Sequence, residues 1–229
     1  MRPISQLITL AWLCMLSLPN AVAADINAKS ALPIKTIADK PCAELPPEET
    51  TRLGLIQQML SEGKPHAALA HLESIKVKSE RAELLRAHAL RQTGRAPQAQ
   101  AIYEQLANSC VSGHAYRGLG LIASQGGNLQ EALRYLKAAS NTLPTEHTIR
   151  NDYGYVLMQA GQNEPALHEF LTAVELAPDY RQAAHNLVLL LYKQGDMVKA
   201  EAFARQFGLV EDEMQQLKKM TQASNKATP

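Results

Sequence analysis

The chain has 229 residues, 46% of them hydrophobic, with 23 basic against 22 acidic side chains. That length and apolar content suffice for one folded unit with a sizeable core. A charge balance this close to zero gives no basic footprint for nucleic acid or for an anionic membrane, and argues against both as direct partners.

Residues 1–24 stand apart from the rest of the chain. Arg2 gives a positive start, an apolar run covers Ile8 to Leu18, and Pro19 leads into Ala21-Val22-Ala23-Ala24. The run is short for a bilayer span, and the small-x-small ending reads as a secretory signal peptide cleaved after Ala23 or Ala24, with an uncleaved anchor as the alternative. Leu13 before Cys14 lacks the small side chain that a lipidation signal wants. The expected location is therefore periplasmic, with any outer-membrane association peripheral and through partners. Without this segment, whose only charge is Arg2, the balance is 22 to 22. Residues 25–47, with prolines at 33, 41, 46 and 47, read as a poorly ordered flexible tether.

A folded domain is expected over 48–223. Gly127, Gly161 and Gly195 recur every 34 residues, as do Ala132, Ala166 and Ala200. Independent helices have no reason to share a period at two unrelated residue types, so the chain is an array of repeats. Upstream, Gly63 with Ala68 and Gly94 with Ala99 keep the same five-residue offset at spacings of 31 and 33. Five helix-turn-helix pairs result, each glycine sitting just past a first helix where a left-handed residue is needed. Pro144 and Pro178 stop second helices, and Gly120 and Gly154 face the close crossing opposite Ala132 and Ala166. Tyr153, Leu157, Phe170 and Val174 are core by position, while Glu164, Glu169 and Glu175 read as solvated faces. The segment from Leu209 to Ala223, with Leu209, Met214, Leu217 and Met220 toward one side, is expected to cap the stack, and 224–229 to form a disordered tail. The alternative for that helix is docking to a partner.

The interval and its contents resemble the tetratricopeptide pattern. Tyr116, Leu119, Gly120, Ala132, Leu136 and Pro144 fill it once; Tyr153, Gly154, Leu157, Ala166, Phe170 and Pro178 fill it again. A third copy, Ala184, Leu187, Val188, Leu191, Ala200 and Ala204, lacks the proline. The resulting fold class is all α, a right-handed superhelix of about five repeats plus a C-terminal capping helix. First helices of such an array line the concave face, which binds ligands. The register places there Leu84, His88 and Arg91 of the second unit and His114, Arg117, Leu121 and Ser124 of the third. The fourth supplies Asn151, Asp152, Tyr155 and Met158, and the fifth His185, Asn186, Leu189 and Tyr192. This mixture of amides, basic groups and aromatics suits an extended peptide, against the plainer reading of an ordinary exposed face.

In an up-down array Cys42 and Cys110 fall on one edge, and in an oxidising compartment they can pair as a disulfide or remain two separate thiols. No histidine pair stands at i, i+4, no Cys-x2-Cys occurs, and no Gly-x-Ser-x-Gly nucleophile setting appears. No metal, cofactor or catalytic residue is expected.

More specifically, IRNDYGYVLMQAG, EFLTAVELAP, AAHNLVLLLYKQGD and AEAFARQFGL, across residues 149–209, resemble the repeats of the TadD proteins of the tight-adherence (Flp) pilus assembly system. The resemblance implies a periplasmic assembly factor with protein partners among pilus or secretin components, assisting secretin placement or multimerisation. A scaffold for another envelope machine, in type IV pilus, cell-wall synthesis or cytochrome maturation, and a regulatory module for an envelope enzyme are the alternatives.

Overall fold

Every glycine that the 34-residue register singles out adopts the left-handed conformation: φ is 71° at Gly63, 77° at Gly94, 78° at Gly127, 74° at Gly161 and 80° at Gly195. The computed structural model describes residues 41–75 and 77–226, and the side chains of these up to residue 221. At each of the five turns the same two hydrogen bonds close the preceding helix. In the third, Gly127 N–H donates to the Ser124 carbonyl (3.0 Å) and Asn128 N–H to that of Ala123 (2.9 Å). In the fifth, Gly195 N–H donates to Tyr192 (3.1 Å) and Asp196 N–H to Leu191 (3.0 Å). This is a Schellman closure, which only a left-handed residue allows at that place.

The turns join five antiparallel pairs: α1 (Pro47–Ser61) with α2 (Pro65–Ser74), α3 (Glu80–Gln92) with α4 (Ala96–Leu106), and α5 (Ser112–Gln125) with α6 (Leu129–Thr142). Then come α7 (His147–Gln159) with α8 (Asn163–Leu176), α9 (Arg181–Gln194) with α10 (Met197–Gln206), and a final α11 (Glu211–Lys226). Among the described residues there is no strand, and the arrangement is consistent with a superhelix. Starts are set locally. Proline occupies the first turn of α1, α2 and α4, where its missing N–H is no loss. The side chains of Ser79, Asn128 and Asp196 each accept a backbone N–H of the third residue on.

Crossings are tight where glycine stands in a first helix. A Cβ at Gly120 would lie 2.6 Å from Leu136 Cγ, and one at Gly154 would lie 2.9 Å from the Phe170 ring. Leu136 and Phe170, beside the fully buried Ala132 and Ala166, thus fill the space opposite these glycines. The core falls into two clusters. One runs from Leu53 through Leu85, Tyr103 and Tyr116 to Ile149, the other from Leu157 through Phe170 and Leu190 to Leu217. Ala132, Leu136 and Val156 form a small group of their own.

Several expectations need correction. Glu169 is buried, because Arg150 Nη1 donates to both of its carboxylate oxygens (3.0 and 3.3 Å) while Arg150 Nε donates to the Pro144 carbonyl (2.8 Å). A surface stripe cannot reveal a charge that finds its partner 19 positions away. Met220 is exposed, whereas Met214, Leu217 and Thr221 are buried; steps of three and four follow the helix stripe and a sixth residue leaves it. The end of the tether is held: Cys42 and Leu45 pack on the first cluster. Helix α11 continues to Lys226, past the expected boundary. The signal-peptide segment and most of the tether lie outside the described residues.

Candidate functional site

Helices α3 and α5 line a cavity of about 400 Å³. His88 and Arg91 come from α3, Arg117 and Leu121 from α5, and Gln57 and Ser61 from α1; Thr148 of α7 and Tyr180 before α9 close one side. Four expected concave-face residues therefore meet here. Tyr103 also reaches in, although it belongs to the second helix α4. Its ring tip lies against Gly118, where any Cβ would collide with it, and its ring centroid is 5.8 Å from that of His88. The repeat register did not point to Tyr103. The sequence signal for it was Gly118, a second helical glycine two positions before the repeat glycine Gly120, which calls for a large neighbour to occupy the space.

The polar atoms of the cavity differ in state. Arg117 Nε donates to Asp152 Oδ2 at 2.6 Å. Arg91 Nε and Tyr103 Oη are buried without a hydrogen bond of good geometry, although the Arg91 guanidinium lies within hydrogen-bonding reach of the phenol. Burial pushes the Tyr103 phenol up to about 12, against the opposing pull of the nearby Arg91 guanidinium. Burial, with the charges of Arg117, Arg91 and His114, pushes His88 down to about 3. At neutral pH both are uncharged.

Other expected groove residues lie elsewhere. His114 and Leu84 line a second cavity, of about 600 Å³, at the edge where first helices begin. Cys42 and Cys110 form a disulfide beside it, with Cα atoms 5.1 Å apart; Cys110 sits in the connection after α4 rather than in that helix. This edge cavity has a mixed lining, with Leu45, Leu53, Leu85 and Leu143 beside polar groups such as Gln57, Arg81 and Ser112. Asn151, Met158, Asn186, Leu189 and Tyr192, expected to line an open face, are buried. Their surroundings explain it. Asn186 Nδ2 donates to Asn151 Oδ1 (2.8 Å), and Gln182 Nε2 to Asn186 Oδ1 (3.3 Å), so the amides pair with one another across α7 and α9. Helix α11 packs on α9, its Glu213 accepting two bonds from Arg181 at 2.7 Å and lying 3.2 Å from His185 Nε2. Lys218 stands over the Tyr192 ring at 5.4 Å. Ser124 Oγ donates to Gln159 (3.3 Å), and Tyr155 is exposed.

Among the described residues no three His, Cys, Asp or Glu side chains are grouped to hold a metal, and no helix is long and apolar enough to cross a membrane. What the polar cavity between α3 and α5 offers is amide, hydroxyl and imidazole groups around two guanidinium groups.

A tetratricopeptide-repeat family model matches residues 84–142 and 152–207. The TPR repeat-containing protein PA4299 of Pseudomonas aeruginosa is 36% identical over 184 residues, covering 78% of this chain and 73% of its own. Among solved structures, pilF of Pseudomonas aeruginosa superposes with a TM-score of 0.57 at 22% identity, over 69% of this chain and 74% of that one. TTC0263, a TPR protein of Thermus thermophilus, does so with a TM-score of 0.57 at 21% identity, over 76% and 97%. At these identities the two structures speak for the fold alone.

Proposed function

The chain belongs to the tetratricopeptide-repeat family, a fold that works through protein–protein interaction, and on that premise we propose that it is a periplasmic adaptor for assembly of the Flp (tight-adherence) pilus. The groove between α3 and α5 holds an extended segment of a pilus or secretin component and keeps it from wrong contacts while the machine is built. The action is stoichiometric and needs no catalytic group or cofactor. The single observation that carries the binding mode is the groove itself: side chains from six helices or their ends converge on one cavity whose donors and acceptors are only partly used internally. The Flp assignment rests on the resemblance of residues 149–209 to TadD repeats. The Cys42–Cys110 disulfide supports the location, since such bonds persist in oxidising compartments.

The test is photo-crosslinking in the native host with a benzoylphenylalanine at Leu121, which faces the groove, and as control at Val198, which is 80% exposed on α10. The expected adduct forms from Leu121 and contains a Flp secretion component. An adduct with a protein of another machine overturns the Flp assignment. Absence of a Leu121 adduct where Val198 gives one overturns the groove.

A further inference from the structure

The edge cavity of about 600 Å³ has no part in the adaptor reading, yet its size is that of a small-molecule site. The Cys42–Cys110 disulfide is one of its walls and ties the chain before α1 to the α4–α5 connection, so the space is formed before anything enters it. Its apolar walls are aliphatic: Leu45, Leu53, Leu84, Leu85 and Leu143 line it, and no Phe, Tyr or Trp does. A flat ring finds no aromatic face to stack on, whereas a flexible alkyl chain can follow such walls. Several of the polar groups are already engaged. Ser109 Oγ donates to the Leu106 carbonyl (2.8 Å) and accepts the Val111 N–H (3.2 Å), and Thr142 Oγ1 donates to the Ala138 carbonyl (2.8 Å). His114 adds no charge at neutral pH, because burial lowers its affinity for a proton against the opposing charge of Glu146. Arg81 differs. It is exposed in the first turn of α3, has no carboxylate within ion-pair distance among the described residues, and shares the lining with no Asp or Glu.

We propose that the edge cavity binds a single-chain anionic amphiphile, with its alkyl chain among the leucines and its head on the Arg81 guanidinium. Removal of the chain from water drives entry. A lone guanidinium at the rim matches one anionic head, carboxylate or phosphate, through paired N–H donors. The site goes beyond the adaptor reading and does not depend on it: it lies at the edge of the array, apart from the groove between α3 and α5.

The test titrates the intact, oxidised protein, below micelle-forming concentrations, with the alkanoates from hexanoate to tetradecanoate, decyl phosphate, decanol, decyltrimethylammonium and acetyl-Leu-Leu-Leu-amide. Binding is followed through the NMR signals of the Gly54 and Gly113 amides, both in the lining. Affinity should rise about fourfold with each added methylene until the cavity is full, and then level off. Decanoate or decyl phosphate should bind about tenfold more tightly than decanol, and the better head distinguishes a free fatty acid from a phospholipid fragment as the source. Arg81→Gln, a change at an exposed position that leaves the core intact, should bring decanoate down to the level of decanol without altering decanol itself. Leu84→Ala, by enlarging the space, should move the levelling point to a longer chain. No shift at Gly54 and Gly113, decanol or decyltrimethylammonium binding as well as the anions, or a preference for the tripeptide each overturns the site. So does affinity that never levels off, or an Arg81→Gln protein that still prefers decanoate. A Leu121 adduct obtained alongside any of these results leaves the adaptor reading standing.

Discussion

The two halves of the array are built on one register but differ in how far their inner face is covered. In the C-terminal half, Asn186, Asn151 and Gln182 bond to one another across adjacent first helices, and α11 engages Arg181, His185 and Tyr192. In the N-terminal half, Arg91 and Tyr103 stand side by side at an open cavity that no further helix covers. Closure also differs. A helix packs on α9 at one end, whereas at the other a disulfide ties Cys42, just before α1, to the α4–α5 connection. The lesson is that a repeat scaffold can cover the same positions in one place and leave them lining a cavity in another, and here the disulfide lies in the half that stays open.

The largest effect should come from breaking the second core cluster. Phe170 is fully buried against Gly154 in the second core cluster. Phe170→Ala is expected to lower stability by about 3–5 kcal/mol and, because repeats couple mainly to neighbours, to speed amide hydrogen exchange in α7 to α10 more than in α1 to α3. A loss spread evenly over the chain would deny that the halves are distinct.

Next in size is the staple. It closes a loop over a sequence separation of 68 residues, so Cys42→Ser with Cys110→Ser should cost about 2–4 kcal/mol. The loss should appear in α1 to α4 while α9 to α11 keep their protection. Equal loss in α11 would remove the distinction from the other side.

The smallest effects are in pH dependence, and they sharpen the contrast. His88 has a folded value of about 3 against 6.5 when unfolded. Its contribution is fully present above about pH 6.5 and is lost as the pH falls toward 3, because the unfolded chain takes up the proton first. At the C-terminal cap, hydrogen bonds from Arg181 and the Val210 amide hold Glu213 at about 2 against 4.5; that contribution is present above about pH 4.5 and fades toward 2. Acidification should therefore loosen α3 to α5 before α11, and His88→Gln should flatten the earlier phase. Simultaneous loosening would count against the assignment of His88 to a buried neutral site.

Much of this was legible in the sequence. The 34-residue spacing of Gly127, Gly161 and Gly195 disclosed the turns, the helix pairing and the all-α class, because one left-handed residue per hairpin leaves a periodic mark. It reached even the first pair, which lies outside the stretches that the family model matches. Which inner-face residues stay open was not legible. Asn151 and Asn186 look the same in a string as Arg91 and Arg117, and only the crossing of α7 with α9 shows that the amides reach each other. Glu169 was misread for the same reason, its partner Arg150 being on another helix. Tyr103 entered the cavity from the wrong helix of its pair, through a gap that Gly118 leaves.

The most direct test of an open groove in the N-terminal half is hydrogen exchange on the protein alone and in complex with the segment captured from Leu121. Protection on binding is predicted in α3 and α5, with α9 and α10 unchanged. Protection confined to α10 and α11, leaving α3 and α5 as in the free protein, would contradict it.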